Sequence, residues 1–208
     1  MGDPTAGTRG YTLRARQESV EQTRLRITEA VMRLHERVGP RATTVSAVAD
    51  EASVTRLTVY RHFPDEDALV MACATHWGRL HPRPDIATWE SVADPVLRLR
   101  TALTQTYGWS RTAAPMMSRI SRDVDAMPGF VATILAEDEQ ARVVALTPGF
   151  APAGSASRRL PAALAHALRF STFESLCLNG GLSDQDAVDV MIGAVLAAVG
   201  PGEPRAFV

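Results

Sequence analysis

Lysine is absent from this 208-residue chain, and all 22 basic side chains are arginine. Every cationic contact must therefore use a guanidinium, a protonated histidine or the N-terminus. A guanidinium can grip a phosphate or a guanine edge through two parallel hydrogen bonds. An excess of either charge is also missing. The arginines face 23 acids, for a net charge of −1. A globally basic nucleic-acid binder is excluded, but a local basic patch is not. Cysteine is limited to Cys73 and Cys177, far apart and in no metal or redox spacing, which removes disulfide scaffolds and zinc fingers. No apolar run reaches the roughly 18 residues of a membrane span. The most apolar stretch, 187–199, is interrupted by Asp189. The polar N-terminus lacks the apolar region of a signal peptide. The expectation is a cytoplasmic protein with reduced thiols and no membrane partner.

Catalytic signatures are missing too. There is no Gly-x-Ser-x-Gly, no Walker loop and no Gly-x-Gly-x-x-Gly. Neither His-Glu-x-x-His nor Glu-x-x-His occurs, which argues against zincin and di-iron sites. No catalytic residue, cofactor or metal ligand is assigned, and the chain is read as a non-enzyme.

What is present is helical periodicity. Hydrophobic residues make up 46% of the chain, enough for a globular core. No alternating stretch is long enough for a sheet. Residues 1–20, with Arg9, Arg14 and Arg16, read as a flexible basic tail. Ile27, Ala30, Val31, Leu34 and Val38 then form one apolar helical stripe, ended by Gly39-Pro40. Thr44 and Thr55 are candidate caps for two short helices. The second of these carries Val59 and Phe63 on its inner side and is stopped by Pro64. A fourth helix runs to about residue 77. Further helical segments are expected over 94–109, 115–123, 129–146, 156–179 and 183–199. The fold class is all-α, with about nine helices. The expected division is a tail over 1–20, a head over 21–66 and a body over 67–208.

Charge divides along the same line. Residues 1–64 hold ten arginines against seven acids, a net +3, and the remainder is net −4. Two short helices joined by a tight connector after a longer one make a helix-turn-helix. On the last helix of the head, Leu57, Thr58 and Arg61 point away from the core, flanked by Arg56 and Tyr60. Arginine reads guanine, leucine meets a thymine methyl and hydroxyls hold phosphates, so the mixture suits a major groove.

The run from Thr43-Thr44-Val45 through Val48-Ala49, Ala52 and Val54-Thr55 continues into Thr58-Val59-Tyr60-Arg61-His62-Phe63-Pro64 and Ala68-Leu69. Over about residues 24–72 it resembles the DNA-binding head of the TetR family of bacterial transcriptional regulators. The resemblance implies base contacts from Arg56, Leu57, Thr58, Tyr60 and Arg61 on a recognition helix that begins at Thr55. It implies phosphate contacts from Thr44, Tyr60 and His62. Three positions depart from the pattern. Ser46 stands where the family often has arginine, Ser53 where the turn usually has glycine, and Glu66 where lysine often reaches a phosphate. An L-residue at the turn is expected in a left-handed conformation.

The body is expected to dimerise and to hold a small-molecule effector. The dimer seam is expected on Leu164, Leu168, Val188, Met191, Ile192, Gly193, Ala194, Val195 and Ala197, because the last helix is apolar nearly all round. The pocket is expected among Trp77, Tyr107, Trp109, Met116, Met117, Phe130, Phe150, His166, Phe170 and Phe173. Glu137, Asp138 and Glu139 read as a solvated acidic face. The reading is a homodimeric, ligand-responsive regulator, most simply a repressor, on double-stranded pseudo-palindromic operator DNA. The alternative is a helical small-molecule-binding or enzymatic protein whose head no longer binds operator, for which Ser46, Ser53 and Glu66 argue.

Overall fold

A computed structural model describes residues 5–150 and 156–199, with side chains described from Ala15 onward. Ten α-helices and no strand occur among the described residues. They divide into two compact units, Met1–Leu80 and His81–Val208.

The first unit holds α1 (Thr5–Arg37), α2 (Val45–Glu51), α3 (Arg56–His62) and α4 (Glu66–Leu80). Helix α1 starts at Thr5, so the stretch expected as a tail is largely helical. Its sequence carries spaced Arg, Gln and Glu, good helix formers, and Gln17 donates to Glu21 one turn on. The side chains of Arg9 and Arg14 lie outside the described residues. Ile27, Ala30, Val31 and Leu34 of α1 pack with Val48, Ala49, Val59, Phe63, Leu69 and Cys73 in one core. Leu69 and Cys73 belong to α4. This packing carries the unit's end to Leu80, beyond the boundary expected after residue 66.

The second unit holds α5 (Ile86–Glu90), α6 (Pro95–Asp123), α7 (Gly129–Leu146), α8 (Ala156–Leu168), α9 (Phe170–Phe173) and α10 (Asp184–Val199). Helix α5 was not expected between the prolines at 82–84 and Asp94. Its start is supplied by Asp85, whose carboxylate accepts from Ala87 N at 3.0 Å. Two expected breaks moved. Helix α6 passes through Pro115 without ending. Proline removes one backbone donor, but Pro115 is exposed, so the carbonyl one turn back can turn to water while Met116 and Met117 stay buried. Conversely, the segment 156–179 is not one helix. It breaks at Arg169, whose ψ is 140°, and the Thr172 hydroxyl takes the His166 carbonyl at 2.6 Å. A π-helical stretch, Glu174–Asn179, follows. The core of this unit includes Trp89, Leu99, Leu103, Tyr107, Leu146, Leu160, Leu164, Phe173, Val188 and Val195.

Candidate nucleic-acid interface

Each helix of the head's turn begins on a threonine. Thr44 accepts from Ala47 N at 3.2 Å and Thr55 from Thr58 N at 3.1 Å, each cap worth about 1 kcal/mol. Between them, Ser53 has φ 53°, the one non-glycine residue with positive φ among those described. Ser53 N donates to Asp50 O at 3.1 Å and Val54 N to Ala49 O at 2.9 Å. This pair of bonds is the Schellman ending of a helix, with serine at the left-handed position that glycine usually holds. The expected conformation is therefore present, and the turn keeps its form without glycine.

Helix α3 buries Val59, and its C-cap Phe63 is buried as well. The opposite side is open: Leu57 is 69% exposed and Tyr60 47%. Arg56 and Arg61 are exposed and make no ion pair or hydrogen bond to described residues. Thr44 and Ser46 are exposed near the start of α2, and Thr58 is half-buried. The Thr58 hydroxyl shares a hydrogen bond with that of Thr55 at 2.9 Å. Other head arginines are engaged. Arg33 and Arg37 hold Glu51 at 2.9 and 2.8 Å. The bond from Arg37, then that from Arg33, lowers the Glu51 carboxyl below its usual range. Net charge alone thus overstates what the head can offer to a phosphate.

One head residue escaped the sequence reading. Arg24 on α1 donates to the His62 carbonyl at 2.6 Å and lies 4.1 Å from the centre of the Phe63 ring. It ties the end of α3 to α1. Burial, then the charges of Arg24 and Arg61, lowers the His62 pKa. At Glu66 an exposed acid opens α4. The start of that helix is capped by Asp65, which accepts from Ala68 N at 2.8 Å.

In the second unit the expected pocket residues separate into two groups. A cavity of about 410 Å³ is lined by Trp109, Met117 and Phe170, but not by Tyr107, Met116, Phe130, His166 or Phe173. Tyr107 and Phe173 stack edge to face at 5.5 Å in the core, and the Tyr107 hydroxyl donates to Ala167 O at 3.0 Å. Met116 is buried on α6, Phe130 and Phe150 are half-buried, and His166 is exposed. Trp77 belongs to α4 in the first unit. The reason is helical phase: Leu99, Leu103 and Tyr107 share the core face of α6, one turn apart. The neighbouring face carries Thr106, Ser110, Met117 and Ser121 to the cavity. Hydroxyls recurring at that spacing inside an amphipathic helix were the signal available in the sequence.

The acidic triplet also needs correction. Asp138 accepts from Arg83 at 2.5 Å and from Arg142 at 3.3 Å, and Glu139 takes both arms of Arg169 at 2.8 and 2.9 Å. Only Glu137 of the three is exposed. The spacing of four between Asp138 and Arg142 was the legible part of this cluster.

The expected dimer seam splits as well. Leu164, Leu168, Val188, Met191, Ile192 and Val195 are buried inside the single chain, so they build the body's own core. Gly193, Ala194 and Ala197 are exposed on the outer face of α10, beside Val190 at 51%. Most of the larger side chains of α10 turn inward, Val190 and Leu196 excepted.

Among the described residues no helix is long and apolar enough to cross a membrane, and no metal-binding cluster occurs. No curated protein sequence matches the chain. Two solved structures are similar to this chain, the first of them in fold. A putative fatty acid metabolism regulator of Clostridium perfringens is 13% identical, with a TM-score of 0.58, over 83% of this chain and 97% of that one. A TetR transcriptional regulator from Rhodococcus sp. RHA1 is 20% identical, with a TM-score of 0.49, over 88% and 99%. Residues 27–73 match the family model of bacterial regulatory proteins of the tetR family. They span the helix-turn-helix and the helices that brace it, so the head of this chain is similar to the DNA-binding domain of the bacterial regulatory proteins of the tetR family.

Proposed function

We propose that this regulator acts as a homodimeric repressor that releases operator DNA when its body binds a small molecule. The observation that carries the reading is the open face of α3, where Arg56, Leu57, Tyr60 and Arg61 stand exposed on a helix braced by Val59 and Phe63. In this reading Arg56, Leu57, Thr58, Tyr60 and Arg61 meet base edges, while Thr44, Ser46, Tyr60 and His62 meet phosphates. Residues 21–80 form the DNA-binding part with its bracing helix, and 81–208 the effector-binding and dimerisation part. Two heads read a pseudo-palindrome, one half-site each. An effector with higher affinity for the conformation that fits the operator poorly lowers DNA affinity by that difference.

Dimerisation is supported by the outer face of α10. Val190, Gly193, Ala194 and Ala197 leave a shallow apolar strip. A Cβ added at Gly193 meets nothing within 4 Å in its own chain, so the single chain does not require glycine there. A second copy packed closely on the strip would. Ala194→Arg is therefore expected to convert dimer to monomer or aggregate. Sedimentation showing an unchanged dimer would move the interface elsewhere. The function is tested by footprinting the DNA upstream of the protein's own coding region. A protected inverted repeat is expected, and failure to protect any such repeat at micromolar dimer would refute the repressor reading.

A further inference from the structure

The cavity of the second unit has an uneven wall. Its lining includes the guanidiniums of Arg83, Arg142 and Arg169 but only the carboxylates of Asp138 and Glu139. Glu139 is fully used by the two-armed pair with Arg169. Asp138 alone serves both Arg83 and Arg142, so one positive charge has no counter-charge among the lining residues. Arg142 is 4% exposed, a costly place for an incompletely matched guanidinium.

Two buried atoms of the lining residues make no hydrogen bond. Thr106, 2% exposed, makes no hydrogen bond through its hydroxyl. The Nε of Arg142 lies 3.0 Å from Asp138 Oδ2, yet its N–H does not point along that line and forms no hydrogen bond. Buried polar atoms are rarely left unpaired without a reason. Arg142 Nε can only donate, and Thr106 Oγ1 can donate. One acceptor can serve both. The same lining carries the apolar Trp109, Met117, Leu135, Leu168 and Phe170, with the Arg83 guanidinium 4.6 Å from the centre of the Trp109 ring.

We infer that the cavity binds a small amphipathic monocarboxylate, with its head group on Arg142 and Thr106 and its hydrocarbon against the Trp109–Phe170 side. This rests on the reading of the body as an effector-binding part and names the chemical class of that effector. A carboxylate supplies the missing counter-charge and accepts from guanidinium and hydroxyl together. A dianion such as a phosphate monoester overshoots by one charge. An amine adds a second uncompensated cation, and an alcohol brings no charge.

The test uses full-length protein and matched probes: octanoate, octan-1-ol and octylamine, and 4-phenylbutyrate with its alcohol and amine. Calorimetric titration is expected to show at least one carboxylate bound about tenfold or more tighter than its alcohol, with the amine weakest. Thr106→Val, nearly isosteric, and Arg142→Gln should each cut that preference several-fold. If Arg142→Gln fails to fold, Thr106→Val and Arg83→Met carry the test. Alcohol or amine binding as tightly as the carboxylate overturns the inference. So does an unchanged preference in the folded variants, or no carboxylate binding at about 1 mM. A carboxylate that binds selectively yet leaves DNA binding untouched refutes the release mechanism and supports the anion site. Release of DNA by the alcohol alone does the reverse.

Discussion

Arg56 and Arg61 of the head and Arg98 of the body use the same side chain in opposite ways. In the head, Arg56 and Arg61 extend from α3 without partners among the described residues. In the body, Arg98 is 7% exposed and spends its guanidinium on backbone. It donates to Val92 O and Pro148 O at 2.8 Å and to Ala93 O at 3.3 Å. One arginine thus ties the start of α6 to the segment after α7. A planar fork of donors suits that task, and a single ammonium would not reach three carbonyls as well. Exposed guanidiniums that contribute little to folding are available to a partner. Buried ones are already part of the fold. Composition cannot separate the two, since the residue type is the same.

The largest effect should come from breaking the inward use. Arg98→Met keeps length and apolar stem but leaves three carbonyls without a donor. Ala93 and Pro148 are exposed and Val92 is half-buried, so water meets their carbonyls in part, and the lost hydrogen bonds to a charged group come to about 3 kcal/mol. Chemical denaturation should show the loss in the body. Residual protein below its melting point should still bind operator with near wild-type affinity. A variant as stable as wild type would mean that water replaces the guanidinium at little cost.

Breaking the outward use should do the reverse. Arg56→Ala and Arg61→Ala are each expected to weaken specific DNA binding by about 1–3 kcal/mol and to relax base preference at one position. Stability should change by no more than about 0.5 kcal/mol, as for exposed residues that make no contacts. Titrations against operator and against scrambled DNA distinguish a base contact from a phosphate contact, because loss of a phosphate contact weakens both alike. Unchanged operator binding in both variants would remove α3 from the groove.

The same contrast explains what the sequence made legible. The head's helices were readable because their cues are local: threonine caps at 44 and 55, Gly39-Pro40, and one apolar stripe on α1. The left-handed Ser53 followed from turn geometry. In the body, α7 matched its expected span, yet the cavity did not, because its lining depends on which face of α6 meets α7 and α8. Aromatics drew attention, but Tyr107 and Phe173 fill core, while small hydroxyls and paired charges form the wall. The inner face of α10 departs from the expected seam for a related reason. Hydropathy gives no direction when every face is apolar, and only packing shows that Val188, Ile192 and Val195 turn inward.

A smaller effect concerns pH. Burial, then Arg24 and Arg61, holds the His62 pKa below its usual value in the free protein. The depressed folded pKa means that His62 contributes stability above the unfolded value of about 6.5, lost as pH falls through the folded one. DNA acts in the opposite direction. A phosphate beside the ring favours the charged form, so binding takes up a proton. Operator affinity should then rise as pH drops from about 7 towards 5, by at most tenfold per pH unit for one site. His62→Gln should flatten that slope while retaining binding at pH 8. An equal slope in the variant would assign the proton to another group.

The smallest effect is expected at Ser53, where two terms nearly cancel. At φ 53° an L-residue carries a strain of about 1–2 kcal/mol relative to glycine. Glycine removes that strain but adds freedom to the unfolded chain, a cost of about 0.5–1 kcal/mol. Ser53→Gly should therefore raise head stability by between zero and about 1.5 kcal/mol, with DNA affinity unchanged. The Schellman bonds from Ser53 N and Val54 N use backbone atoms alone, so they survive the substitution. The exposed serine side chain gives up no packing. Ser53→Val supplies the opposing measurement. A β-branched residue is worse in the left-handed region, so that variant should lose stability and, by straining the turn, DNA affinity as well. If glycine instead clearly destabilises the head in a thermal melt, unfolded-state entropy outweighs the strain, and the serine serves the turn better than the family's usual residue.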